Sequence, residues 1–139
     1  MDNNYSAIFN ETVYEALLPT GTQLISLNNT NAWLDDILNE KKKDTWAFIT
    51  AFNPLPKILA SDINNKRQDE LIQIVENLGY TYFKGHGRAP DNSWIEECVL
   101  ILGISLTSAI EIGNDFGQMA ILFGKKHETA EIVYCKKSL

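Results

Sequence analysis

Two stretches of this chain, Trp46 to Phe52 and Cys98 to Ile104, are apolar at nearly every position. A strand with one wet face alternates apolar and polar side chains, whereas a strand buried on both faces does not. Neither run is long enough to cross a bilayer. Both are therefore expected as central strands of a sheet whose two faces are covered by helices.

The remaining sequence supplies those helices and the flanking strands. Thr12 to Leu18 reads as a strand or a helical turn, Pro19-Thr20-Gly21-Thr22 as a turn and Gln23 to Leu27 as a strand, which together suggest a hairpin. Asn29-Thr30-Asn31 offers an N-cap for a helix bearing Trp33, Leu34, Ile37 and Leu38. Lys41-Lys42-Lys43 suits the negative end of that helix. Ser61-Asp62 can cap a second helix, with Ile63, Leu71, Ile74, Val75 and Leu78 at helical spacing and Gly79 as its stop. Tyr80 to Lys84 is a short strand, followed by a glycine-bearing loop from Gly85 to Ser93. Ser105 or Thr107 caps a third helix ending near Asp115, and Met119–Phe123 with Ala130–Cys135 forms a closing hairpin. Residues 1–10 are polar and expected to be loosely ordered. The expectation is one domain over residues 1–139: an α/β or α+β sandwich with a mixed sheet of about six to seven strands and about three helices.

At 139 residues the chain can bury roughly two thirds of its unfolded surface and needs no metal or disulfide to fold. Its net charge of −6 argues against broad nucleic-acid binding, which needs a basic surface. Cys98 and Cys135 lie in strand-like apolar surroundings without CxxC spacing, as expected for reduced, buried thiols in the cytoplasm. The polar start Met1-Asp2-Asn3-Asn4 lacks the apolar stretch of a signal peptide. No membrane partner is expected.

The first apolar run ends in the polar turn Asn53-Pro54. Strand ends hold side chains at the rim of a sheet, where ligands tend to bind. Asn64 and Arg67 are three residues apart and share a helix face. Arg67 carries a planar fork of donors suited to phosphate or carboxylate, or to an ion pair within the fold. The Asn53 amide either caps the following segment or meets a ligand. Gln118 either satisfies a neighbouring turn or does the same. Trp94 is a core residue or a flat platform on which a planar group stacks. Glu96 and Glu97 point to opposite faces if a strand starts at Ile95. Gly85-His86-Gly87-Arg88 lets backbone N–H groups approach an anion, but it is neither a Walker loop nor a GxGxxG fingerprint. HExxH, HxE…CxxC and GxSxG are absent, so no metal site, cofactor or serine nucleophile is indicated.

Four segments carry a resemblance: Thr50-Ala51-Phe52-Asn53-Pro54, Asn64-x-x-Arg67-x-x-x-Leu71, Trp94-x-Glu96-Glu97-Cys98, and Phe116-Gly117-Gln118-x-Ala120. In this order they resemble the DUF3293 family of bacterial and phage proteins of unknown function, over residues 10–135. That family usually has Trp at Phe52 and Ser at Cys98. The resemblance implies that Glu96, rather than Glu97, faces inward. It brings no established activity.

The expected site therefore comprises Asn53, Asn64, Arg67, Trp94, Glu96 and Gln118 around one cavity. The leading expectation is a small-molecule binding protein for a nucleotide-like anionic ligand. Arg67 would meet the anion, Trp94 would stack, and Asn53, Glu96 and Gln118 would read polar edges. A phage protein sequestering a host nucleotide immune signal would have this form. The alternatives are a small enzyme acting on a nucleotide-like substrate, with Glu96 as acid or base, and a protein interaction module.

Overall fold

The computed structural model describes residues 3–135, with side chains from Tyr5 onward. The helices are α1 (Asn3–Glu11), α2 (Ala32–Lys41), α3 (Ser61–Asn77) and α4 (Leu106–Asp115). The strands are β1 (Val13–Leu18), β2 (Gly21–Ile25), β3 (Thr45–Ile49), β4 (Thr81–Arg88), β5 (Ile95–Leu102), β6 (Ala120–Lys125) and β7 (Glu131–Tyr134). They form one sheet in the order β2-β1-β4-β5-β3-β6-β7, so the two apolar runs are central as expected.

Every pairing between these strands is antiparallel, which makes the domain α+β. Among the described residues, the one parallel pairing is an isolated bridge, Leu27 with Ala130. The mixed sheet expected from sequence does not form because the crossovers through α3 and α4 each skip one strand. The chain leaves β3 through α3 and enters β4, with β5 lying between them; it leaves β5 through α4 and enters β6, with β3 between. The stretch from β3 to β6 thus follows the split β-α-β plan of ferredoxin-like domains.

Side-chain alternation sorts the core into two layers. Ala47, Ile49, Val99, Ile101, Ile121 and Phe123 face α3 and α4, where Leu71, Val75, Ala109, Ile112 and Phe116 meet them. Trp46, Phe48, Cys98, Leu100, Leu102 and Leu122 form the other layer with Tyr14, Ala16 and the α2 residues Leu34 and Leu38. Both cysteines are buried, one in each layer.

Local chemistry sets the element ends. Gly79, at φ 82, turns the chain out of α3, with Tyr80 N donating to Val75 O at 3.2 Å. The N-cap of α3 is Ala60, not Ser61 or Asp62, which fall in the first turn. Ser105 caps α4 by accepting from Ser108 N at 3.1 Å. Asn31 stands at the N-cap of α2, but its side chain is used instead on Ser26 N and Ser26 O.

Two segments differ from expectation. Gly85 to Arg88 is strand rather than loop. A Cβ on Gly85 would lie 2.8 Å from the Phe48 ring and 2.5 Å from Glu15 O, so glycine here permits close packing within a sheet. His86 and Arg88 are committed to Glu15 on β1, at 2.7 and 3.1 Å. The second segment is α1, a fourth helix where loose order was expected; Met1 and Asp2 lie outside the described residues. It is anchored by Tyr14 Oη, which donates to Phe9 O at 2.7 Å, and by an edge-on contact of Phe9 with Tyr134. Among the described residues, no helix is long and apolar enough to cross a membrane.

Candidate functional site

The backbone leaves β3 at Thr50, and among the described residues no α2 side chain lines the space over this end of the sheet. Helix α1 and the segment from Asn53 to Ile58 arch over this part of the sheet instead. They enclose a cavity of about 330 Å³. Phe48, Cys98, Ala120 and Leu122 form its floor, Ile8 and Phe9 one wall, and Leu55 and Ile58 another. Trp94, 38% exposed, stands among the lining residues with Met119 and Gln118.

Among the described residues, Glu96 is the only charged side chain that lines the cavity. It is half-buried on β5, pointing to the Cys98 side, while Glu97 is exposed. Its Oε2 accepts a hydrogen bond from Asn53 Nδ2 at 2.9 Å. Burial pushes the Glu96 carboxyl above the usual carboxylate range, and the bond from Asn53 opposes this only partly.

Asn53 is held from several sides. Its Oδ1 accepts from Leu59 N at 2.8 Å and from Asn64 Nδ2 at 2.9 Å, and its own N–H donates to Asn64 Oδ1 at 2.9 Å. With both acceptor bonds in place, Nδ2 is the atom left to face Glu96. The residue sits at φ 38, in the left-handed region that asparagine tolerates better than most side chains.

Asn64 and Arg67 do not line the cavity. They stand behind the loop and hold its backbone. Arg67 Nε donates to Ala51 O at 2.7 Å, Nη2 donates to Phe116 O, and the guanidinium lies 5.8 Å from the centre of the Phe116 ring. Gln118 lines the cavity, and its Nε2 donates to Phe52 O at 3.0 Å. Thus Asn53, Trp94, Glu96 and Gln118 meet at one cavity, with Asn64 and Arg67 as its outer brace.

Sequence reasoning missed Gln68, which accepts from Ala51 N at 2.9 Å and is buried, its Nε2 having no hydrogen-bond partner among the described residues. The signal was present: Asn64, Arg67, Gln68 and Leu71 follow the i, i+3, i+4, i+7 spacing of one helix face. The same spacing in Tyr5, Ile8, Phe9 and Thr12 marks α1, which brings Ile8, Phe9 and Thr12 to the cavity.

A family model described as a protein of unknown function, DUF3293, matches residues 49–121, a little over half of the chain. The chain belongs to the DUF3293 family. The matched region contains all four of the segments quoted above, so in this DUF3293 member they build the Asn53 loop, its brace and the Glu96 wall. Comparison with curated proteins and with solved structures gave no match.

The chemistry available to this DUF3293 site is narrow. Burial pushes the Cys98 thiol far up, which removes it as a nucleophile near neutral pH. Among the described residues, no three His, Cys, Asp or Glu side chains gather in a way that could hold a metal.

Glu96 also marks the site as costly to the fold. Its proton is held more tightly in the folded than in the unfolded chain. As pH rises through the carboxylate range the unfolded chain ionises first, so stability falls until folded Glu96 ionises too. Above that point the penalty is fully present. Glu96→Gln keeps an acceptor for Asn53 and removes the charge. It is expected to raise neutral-pH stability by about 0.5–2 kcal/mol and to change acid stability little. Denaturant melts at both pH values check this, and a neutral-pH loss would contradict it.

Proposed function

We propose that this protein binds a small molecule in the cavity between β3, β5, β6 and α1. The observation that supports this best is an open apolar cavity that carries one half-buried carboxylate. Ligand sites combine apolar walls with a few placed polar groups in this way, and roughly 300 Å³ is the lower end of their size range. Phe9, Phe48 and Trp94 favour a planar group of nucleobase size.

The nucleotide-like ligand is kept in a modified form. Among the described residues no Lys, Arg or His lines the cavity, so a base would enter it and any phosphate would remain outside. Holding such a ligand requires no activated nucleophile. Sequestration of a nucleotide-derived signal, as by a phage protein acting against a host defence, is the role that fits this plan. The test fills the cavity: Ala120→Phe places a ring on the floor and is expected to abolish retention of small molecules while the fold persists.

The raised carboxyl of Glu96 favours a second reading, an enzyme with Glu96 as acid or base, because perturbed carboxyls in clefts often move protons. Glu96→Gln separates the two. An enzyme variant would lose turnover of a bound compound, whereas a sequestering protein would have no turnover to lose.

A further inference from the structure

We propose that the ligand presents to Glu96 a cationic, planar N–H edge of the amidinium, guanidinium or protonated aminoheterocycle class. This rests on the cavity being a ligand site. The Asn53 amide is locked by Leu59 N and Asn64 Nδ2, so it can offer Glu96 only one donor, to Oε2. Among the described residues no bond is made to Oε1. If Glu96 served only to anchor Asn53, a glutamine would accept the same bond without a buried charge. The charge is therefore unexplained by the loop it supports.

An incoming cation explains it. A carboxylate among apolar walls is costly when unpaired, and among the described residues no basic side chain of the lining compensates it. An amidinium-type edge matches carboxylate geometry with charge-assisted bonds. Aromatic side chains beside it favour a flat cation over an aliphatic amine. The burial that pushes the Glu96 carboxyl up would be offset as the cation binds, so binding releases a proton wherever Glu96 is partly protonated.

Three probes of one shape test this: benzamidine (cationic), benzamide (neutral) and benzoate (anionic), each titrated into the whole chain and followed by NMR. Benzamidine is expected to bind roughly tenfold or more tightly than benzamide, with benzoate weakest. Glu96→Gln should bring benzamidine down to the level of benzamide. Independently of any variant, wild-type affinity for benzamidine should fall as pH drops through the carboxylate range. Equal binding of benzamide and benzamidine, unchanged by Glu96→Gln, would overturn the cationic edge but leave the cavity reading intact. Tightest binding of benzoate would do the same. No binding of any probe would overturn both.

Discussion

Asn53→Ala is expected to destabilise the protein by about 3–5 kcal/mol, one of the two largest effects of any single change at the site. Three side-chain bonds are lost together: the donor to Glu96 and the two acceptor bonds from Leu59 N and Asn64 Nδ2. Leu59 N loses its acceptor, Asn64 Nδ2 keeps only its longer bond to Leu59 O at 3.3 Å, and Glu96 keeps a half-buried charge without its partner. Alanine must also hold φ 38, which its Cβ disfavours. For a chain of this size the loss corresponds to a fall in Tm of roughly 10–20 °C. Asn53→Asp makes a useful companion. It keeps both acceptor bonds but sets a second carboxylate against Glu96, so its deficit should be large at neutral pH and shrink as pH is lowered. A change in Tm of only a few degrees for Asn53→Ala would show that the network does not hold the loop.

Arg67→Ala is the second. The sequence presents Arg67 as a receptor for an anion, and its loss would then spare the fold. The structure spends Nε on Ala51 O and Nη2 on Phe116 O, tying the end of β3 to the end of α4. Hydrogen bonds from a charged donor contribute about 1.5–3 kcal/mol each, and the carbonyls left behind are half-buried or buried. The expected cost is about 2–4 kcal/mol, read from denaturant or thermal melts. Arg67→Lys should recover less than half of it, because an ammonium cannot bridge two carbonyls as a planar fork does. An Arg67→Ala protein that melts like wild type yet retains no small molecule would return Arg67 to the role of ligand contact.

These two residues show where sequence was informative and where it was not. The apolar runs at Trp46 and Cys98 mark central strands because only a strand covered on both faces can bury every side chain. Gly79 marks the end of α3 because the chain must turn there at positive φ. By contrast, Arg67 and Asn53 have side chains that bond equally well to a ligand or to the chain's own backbone, so their partners depend on tertiary distances that no spacing reveals. Gly85 and Gly87 resemble a flexible loop because glycine serves both for flexibility and for close packing, and the Phe48 ring that demands the second lies thirty-seven positions away from Gly85. Glu96 and Glu97 were separable in principle by alternation along β5, and the inward position of Glu96 follows once the strand start is fixed at Ile95. On the polar face of α3, Asn64 and Arg67 were legible as a pair, and the overlooked signal was Gln68 on the same stripe as Leu71, positioned to face the fold.

The central claim is that the cavity over the end of β3 holds a small molecule. Its most direct test is retention: wild-type protein and Ala120→Phe are incubated side by side with a small-molecule extract of cells, freed of unbound material, denatured, and the released compounds identified by mass spectrometry. Wild type is expected to release a planar compound in near-stoichiometric amount, unaltered, and Ala120→Phe to release none above background while melting cooperatively. Equal release from both proteins, or none above background from wild type, would contradict the account.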